Sequence, residues 1–156
     1  MNIAVRSATP QDAEAILQCL VCAFEPYRSS YTPGAFADTI LDSASLAERF
    51  ASMSLVVART DEGVVIGTLA YALSSLNEGH LRGMAVLPEF QGIGVAEILL
   101  SRAESDLKAQ GCKFISLDTT APLQRAMSFY ERHGFRRSGK VSDFFGMSLY
   151  EYVKQL

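Results

Sequence analysis

Apolar residues recur along the chain with two different periods, and these periods separate predicted strands from predicted helices. Strand-like alternation or short apolar runs cover residues 2–8, 54–60, 64–74, 79–87, 113–120, 135–141 and 144–154. Helical patterns cover residues 10–24, 94–110 and 121–134, with two shorter segments at 33–42 and 44–52. No linker, repeat or low-complexity segment interrupts them, so residues 1–156 are predicted to form one α/β domain with a mixed sheet.

Composition narrows the possible classes of function. The formal net charge is −3 and no strongly basic patch is present, which argues against nucleic acid as the main partner. No run of about 18 apolar residues occurs and the N-terminus lacks a signal-peptide pattern, so no membrane partner is expected and a cytoplasmic location is predicted. Cys19 and Cys22 have C-x-x-C spacing, but they lie in a helical apolar pattern, so core packing is favoured and no metal site is predicted.

The segment PEFQGIGVAEILL, residues 88–100, joins a predicted strand to a predicted helix through two glycines. The first turn of a helix leaves backbone N–H groups unpaired and carries partial positive charge. Because Gly92 and Gly94 have no side chains, residues 91–94 (the glycine turn) would let a phosphate approach those N–H groups. The turn lacks the endings of a nucleotide P-loop and of a dinucleotide fold. A tight helix entry without any ligand is the alternative interpretation.

Two motifs make the chain similar to a known superfamily. Gln91, Gly94 and Ala96 give Q-x-x-G-x-A directly after a predicted strand. About thirty residues later, AMSFYERHGF supplies a second motif at Ala126, Tyr130, Glu131, Gly134 and Phe135. Along essentially its whole length the chain resembles the GNAT superfamily of acyl-CoA-dependent N-acetyltransferases. The resemblance implies a mixed, mostly antiparallel twisted sheet of about seven strands, with helices on both faces and a splay between strands 4 and 5.

The same resemblance implies acetyl-CoA as cosubstrate and assigns residues to it. The pyrophosphate is expected beside Gln91, on the backbone N–H groups of Gly92, Ile93, Gly94, Val95 and Ala96. The pantetheine is expected to add like a short strand along Met84, Ala85 and Val86, and further cofactor contacts are expected from Thr119, Ala126, Phe129 and Tyr130. The family often has asparagine where Leu123 stands, so Thr119 or Thr120 is the candidate replacement for that contact.

Three groups are expected to carry the acyl transfer. Tyr130 matches the family tyrosine near the cofactor sulfur and is the candidate acid for the departing thiolate; core packing alone is the alternative. The Met84 N–H is the expected oxyanion donor. His80 stands where family members often place a glutamate base, with Glu78 or water as alternatives. Strict strand alternation predicts that Glu78 and His80 share a face with Met84 and Val86.

The acceptor is not identified by the sequence. Glu25, Tyr27, Arg28 and Tyr31 are candidates for the wall of its pocket, with an ordinary polar loop as the alternative. A polyamine, an amino acid or antibiotic amine, and a protein N-terminus or lysine all stay open. A homodimer is predicted through the final strands, because the unpaired N–H and C=O groups of an exposed edge strand can pair with a second chain. A sensor of acyl-CoA without turnover and a scaffold subunit are the other classes that stay open.

Overall fold

A computed structural model describes residues 2–156 and contains one seven-stranded sheet. Its strands are β1 (Ile3–Ser7), β2 (Ser54–Thr60), β3 (Val65–Ser75), β4 (Glu78–Val86), β5 (Phe114–Thr120), β6 (Arg136–Phe144) and β7 (Met147–Gln155). Their spatial order is β1-β2-β3-β4-β5-β7-β6, and every neighbouring pair is antiparallel except β4 and β5. This mixed sheet confirms the predicted fold class.

Helices cover both faces of the sheet. They are α1 (Ala13–Phe24), α2 (Pro33–Ile40), α3 (Ser43–Ser52), α4 (Val95–Ala109) and α5 (Gln124–Arg132), with 3₁₀ turns at Pro10–Asp12, Glu25–Ser30 and Pro88–Phe90. Alternation along β2 shows how the faces divide. Leu55 and Val57 pack in a core with α1 and α3, the α1 face. Val56 and Ala58 pack in a second core with α4 and α5, the α4 face.

The sheet opens between β4 and β5. These two strands pair only from Glu78↔Phe114 to Leu81↔Leu117. Beyond those positions β4 continues to pair with β3 and β5 continues to pair with β7. Each strand therefore follows its other neighbour, and the two C-terminal ends separate. The predicted splay is confirmed, and it leaves a gap in the middle of the sheet.

A β-bulge interrupts β4 at Gly83. The strands β3 and β4 pair at Thr68↔Ala85 and again at Ala70↔Arg82, so β4 has one residue more than β3 across this interval. Gly83 has a φ of 66°, a left-handed conformation that glycine adopts without steric penalty. The extra residue reverses the alternation of side chains along β4.

The bulge overturns one prediction about the faces of β4. Leu81 before the bulge and Val86 after it both lie in the core of the α4 face, although their numbers differ in parity. Met84 also packs against that core. Glu78 and His80 alternate with Leu81 and therefore lie on the α1 face. The prediction that they share a face with Met84 and Val86 is wrong, because periodicity alone does not reveal the inserted residue.

Two local structures also differ from the sequence prediction. Residues 25–30, predicted as an irregular connection, form a 3₁₀ helix with Pro26 in its first turn. The last hairpin turns at Phe145 and Gly146, whose φ values are 49° and 87°, so Phe144 ends β6 instead of beginning β7. Two positive φ values suit a two-residue hairpin. A phenylalanine at the first turn position gave no signal for such a turn in the sequence.

All three cysteines are free. Cys19 is buried in the core of the α1 face, as the core interpretation predicts, whereas Cys22 is only partly buried. Within residues 2–156, no group of three or more His, Cys, Asp or Glu side chains is placed to hold a metal ion. No helix in the same range is long and apolar enough to cross a membrane. The cytoplasmic location stays a prediction, and three free thiols suit its reducing conditions.

Candidate active site

A cavity of about 740 Å³ occupies the gap between β4 and β5. Its walls come from both strands, from the start of α4, from α5 and from the segment after α1. Most of the predicted site residues line it: Tyr27, Tyr31, His80, Met84, Ala85, Val86, Gln91, Gly92, Gly94, Val95, Ala96, Thr119, Ala126, Phe129 and Tyr130. Because residues from both faces contribute, the cavity passes through the sheet.

The glycine turn is open and rich in unpaired donors. Gly92 and Gly94 have φ values of 81° and 95°, and a Cβ on either would meet nothing within 4 Å. The first backbone hydrogen bond of α4 runs from Ile98 N–H to Gly94 O, so the N–H groups of Val95 and Ala96 have no partner within the helix. The left-handed backbone explains the glycines. The open space beside a helix N-terminus makes an anion site.

The side chain of Gln91 holds the glycine turn against the end of β4. Its Nε2 donates to Val86 O over 3.0 Å, and its Oε1 accepts from Arg125 Nη1 over 3.3 Å. Arg125 also lines the cavity, so it brings positive charge next to the turn. The motif glutamine thus supports the turn as well as facing the cavity.

A short chain of polar groups orients His80. Ser116 Oγ donates to Glu78 Oε2 over 2.8 Å, and His80 Nδ1 lies 2.9 Å from the same serine oxygen. Because the single hydroxyl hydrogen of Ser116 goes to the carboxylate, the serine accepts a hydrogen bond from His80 Nδ1–H. The neutral imidazole then has its lone pair on Nε2, which lies 3.7 Å from Asp118 Oδ2.

Burial decides the protonation state of His80. Burial lowers the pKa of His80 below its ordinary value, and the neighbouring Asp118 carboxyl partly opposes this effect. Burial also raises the pKa of Asp118. Since a lowered histidine pKa favours the neutral ring at pH 7, Nε2 is available to accept a proton.

Aromatic packing fixes the ring of Tyr130. Phe129 and Phe135 meet it edge-on at centroid distances of 5.6 and 5.7 Å. The side chain is 9% exposed, and no residue in the range 2–156 forms a hydrogen bond with its hydroxyl. Burial raises the pKa of Tyr130 to about 12. The hydroxyl therefore keeps its proton at neutral pH, and Tyr130 lines the cavity as a hydrogen-bond donor.

The two threonines at the end of β5 differ in their partners. Thr120 Oγ1 forms a hydrogen bond of 2.6 Å with the Tyr31 hydroxyl. Thr119 is 3% exposed, and in the described chain its Oγ1 has no hydrogen-bond partner. A buried unsatisfied hydroxyl costs about 1–3 kcal/mol. Thr119 and Leu123 both line the cavity.

Comparison with protein families accounts for this arrangement. The model of the acetyltransferase (GNAT) family matches residues 14–135, which is most of the chain. The chain belongs to the GNAT acetyltransferase family. The glycine turn and the Tyr130 helix, the two motifs that suggested the resemblance, both lie within the matched residues.

Solved GNAT structures share the whole fold. The PaiA N-acetyltransferase from Thermoplasma acidophilum, in complex with coenzyme A, has a TM-score of 0.82 at 20% identity, over 100% of both chains. A GNAT acetyltransferase from Staphylococcus aureus Mu50 has a TM-score of 0.80 at 17% identity, over 99% of both chains. A GCN5-related N-acetyltransferase from Rhodopseudomonas palustris has a TM-score of 0.78 at 22% identity, over 100% of this chain and 97% of that one. At these identities the likeness shows the fold alone.

Several residues predicted for the GNAT site do not line the cavity. Glu25 and Arg28 form an exposed ion pair of 2.8 Å beside it, which corrects their predicted place in the acceptor wall. Ile93 has a side chain that is 57% exposed, so only its backbone N–H is left for the predicted role. Glu78 does not line the cavity, and it is linked to His80, which does, through Ser116.

Several polar residues of this GNAT site escaped the sequence analysis, among them Ser116, Asp118 and Arg49. Ser116 and Asp118 alternate with the buried Ile115 and Leu117 along β5, so a polar stripe on an otherwise buried strand was the available signal. Arg49 on α3 lines the cavity from the α1 face. A single arginine in a helical pattern, far along the chain from both motifs, gives no such signal.

Proposed function

We propose that this GNAT domain transfers the acetyl group of acetyl-CoA directly to an amine. The observation that carries the proposal is the single cavity that joins the glycine turn and Tyr130, on the α4 face, to His80, on the α1 face. A cosubstrate and an acceptor that enter from opposite faces would meet in the gap between β4 and β5. A module that only senses acyl-CoA has no need of an oriented imidazole at a second entrance.

The glycine turn fits the pyrophosphate of coenzyme A. Gly92 and Gly94 leave open space above unpaired N–H groups, and Arg125 adds a positive charge beside them. The Thermoplasma relative, which was solved in complex with coenzyme A, supports the same ligand for this chain.

The strand ends fit the pantetheine. Gly83 and Met84 have no register partner on β3 or β5, so their backbone is free to pair with an added strand. Thr119 is the better of the two candidate replacements for the family asparagine, because Thr120 is already bonded to Tyr31.

Bound acetyl-CoA supplies an acetyl group attached to a good leaving group. His80 Nε2 accepts the proton that the amine must lose, and Ser116 with Glu78 keeps the ring in the tautomer that leaves Nε2 free. Asp118, at 3.7 Å from Nε2, favours an incoming ammonium and stabilises the imidazolium that forms. Glu78 thus acts through other groups in this scheme and is not the base itself.

Two further groups complete the transfer. The Met84 N–H donates a hydrogen bond to the acyl oxygen as negative charge develops there, a contact that contributes about 3 kcal/mol in comparable sites. Tyr130 donates its hydroxyl proton to the departing thiolate. None of Cys19, Cys22 and Cys112 lines the cavity, so the scheme contains no acyl-cysteine step.

Acetyl transfer itself is the test. The whole protein is incubated with acetyl-CoA and a panel of polyamines, amino acids, antibiotic amines and peptides with free N-termini or lysines. We expect thiol release that depends on both substrates, and an amine product heavier by one acetyl group in mass spectra. Binding of acetyl-CoA without thiol release for any amine would favour the sensor instead.

We also propose a homodimer formed through β6. This strand is one edge of the sheet, and most of its residues are exposed, including Val141 at 56%. Exposed edge strands offer unpaired N–H and C=O groups to a second chain. Light scattering at micromolar concentration should give the mass of two chains, and the mass of one chain would refute the dimer.

A further inference from the structure

Arg49 lines the end of the cavity on the α1 face without an ion-pair partner in the described residues. Arg82 Nη2 lies 3.7 Å from Asp38 Oδ2, and both side chains are partly exposed. Arg49 lines the same end of the cavity. Among residues 2–156, no carboxylate oxygen comes within 4 Å of its guanidinium and no hydrogen bond is formed by it. Arg82 and Asp38 therefore pair with each other, and in the described chain Arg49 is left without an ion-paired or hydrogen-bonded anion.

The guanidinium of Arg49 rests directly on the bulge of β4. A Cβ on Gly83 would lie 2.7 Å from Arg49 Nη1. Burial, with a smaller effect of the neighbouring Arg82, lowers the pKa of Arg49 to about 10, and the Asp38 carboxylate opposes this only in part. Arg49 is still charged at neutral pH, so the cavity wall contains a partly desolvated cation. Such a cation is costly unless an anion pairs with it.

The phosphates of coenzyme A are not placed to supply that anion. The glycine turn begins α4, which packs on the α4 face, whereas α3 with Arg49 packs on the α1 face. The positive charge beside the turn comes from Arg125 instead. The anion for Arg49 must therefore enter from the acceptor side.

A cation-binding region lies a short distance from Arg49. His80 stands on β4 three residues before the bulge, a distance of about 10 Å along the strand, and Asp118 of β5 lies 3.7 Å from His80 Nε2. The His80 and Asp118 pair and Arg49 line the same cavity, so one ligand can contact them together through a hydrogen bond of about 3 Å at each end. Such a ligand would be one small molecule that has both an amine and a carboxylate.

We propose that the acceptor is a small amino-carboxylate, such as a free amino acid, whose carboxylate pairs with Arg49. The inference rests on the proposed function and names the class of substrate for the same site. The planar guanidinium can bind both carboxylate oxygens at once. A polyamine would bring a second cation to the arginines, and the N-terminal residue of a protein has lost its carboxylate to a peptide bond.

Matched acceptors test the inference. The twenty free L-amino acids are compared with their methyl esters and with their decarboxylated amines, using acetyl-CoA and thiol release. The ester has a more acidic ammonium than the amino acid and the decarboxylated amine a less acidic one, so the two controls bracket the effect of amine basicity. For the preferred amino acids, we expect kcat/KM to exceed that of both controls by about 10- to 100-fold.

The variant Arg49→Gln should remove this preference. Its kcat/KM for the amino acid should fall to the level of the decarboxylated amine, while kcat/KM for that amine stays within about 3-fold of wild type. Arg49→Lys should keep part of the preference, since it retains the charge and loses the fork. Arg59→Gln, outside the cavity on β2, is the control. Melting curves establish that each variant is folded.

The outcomes separate this inference from the proposed function. Two results would overturn the carboxylate site and leave acetyl transfer standing. One is an equal kcat/KM for the amino acids, their esters and the decarboxylated amines. The other is an equal loss of kcat/KM for all three classes in Arg49→Gln. If a polyamine, an antibiotic amine or a peptide supports thiol release and no amino acid does, the carboxylate site alone is overturned. If no amine of either panel supports thiol release, both proposals are overturned.

Discussion

Replacing Tyr130 by phenylalanine removes one hydroxyl group from the cavity and leaves the ring in place. The edge-on contacts with Phe129 and Phe135 do not involve the hydroxyl. Because no hydrogen bond to it exists in residues 2–156, its loss leaves no protein group unpaired. The free energy of unfolding should change by less than about 1 kcal/mol, or less than about 4 °C in Tm.

Turnover should respond far more than stability. A positioned general acid contributes about 10²- to 10⁴-fold, and we expect kcat of Tyr130→Phe to fall by that factor. Because burial raises the pKa of Tyr130 to about 12, the acid form persists at every pH from about 6 to 10. The deficit should therefore be constant over that range. The affinity for coenzyme A should change little, since the proton is given only in the transition state.

The assay combines thiol release at saturating amine, calorimetric titration of coenzyme A and a melting curve. Tyr150→Phe is the matched control, because Tyr150 packs against the same core without lining the cavity. Near-wild-type turnover of Tyr130→Phe would remove this tyrosine from the mechanism. Parallel losses of turnover and coenzyme A affinity would make it a binding residue instead.

Three further substitutions test other parts of the structure. His80→Gln should lower turnover about 10²- to 10⁴-fold and abolish the acidic limb of the pH–rate profile. In wild type that limb should lie below pH 6.5, because the pKa of His80 is lowered. An unchanged limb would exclude His80 as the base. Gly83→Ala should lower the free energy of unfolding by about 1–2 kcal/mol, because its φ of 66° is unfavourable for a residue with a Cβ, while the Arg49 side chain end, 2.7 Å from the new Cβ, can shift. An unchanged denaturant midpoint would contradict this. Asp12→Asn should destabilise the protein above about pH 4, because the hydrogen bond from Arg6 lowers the pKa of Asp12 to about 2. The loss of stability relative to wild type should shrink as the pH falls toward 2. Equal losses of Tm at pH 3 and pH 7 would refute this.

Features of the fold that repeat along the chain could be predicted from the sequence. Period-2 and period-3.6 patterns gave the seven strands and the five α-helices because burial on one side imposes those periods on side chains. Gly92 and Gly94 could be interpreted because a left-handed turn before a helix restricts the choice of residue strongly.

Features that depend on a single residue, or on pairing between distant parts of the chain, could not be predicted from the sequence. The bulge at Gly83 adds one residue to β4 without disturbing its apolar pattern, so the face of His80 was predicted wrongly. Ser116 contacts His80 only because β5 returns beside β4, 36 residues later in the chain. Arg49 reaches the cavity through the packing of α3, which no local pattern encodes.

The central claim is that the glycine turn binds the pyrophosphate of acetyl-CoA for acyl transfer, and calorimetric titration of acetyl-CoA tests it most directly. The titration compares wild type with Gly94→Asn and Gly94→Asp, because both side chains tolerate the left-handed backbone and they differ mainly in charge. We predict binding at one site in wild type, weaker binding to Gly94→Asn, and binding to Gly94→Asp weaker again by at least about 10-fold. Absence of binding to wild type, or equal affinity for wild type and a folded Gly94→Asp, would contradict the claim.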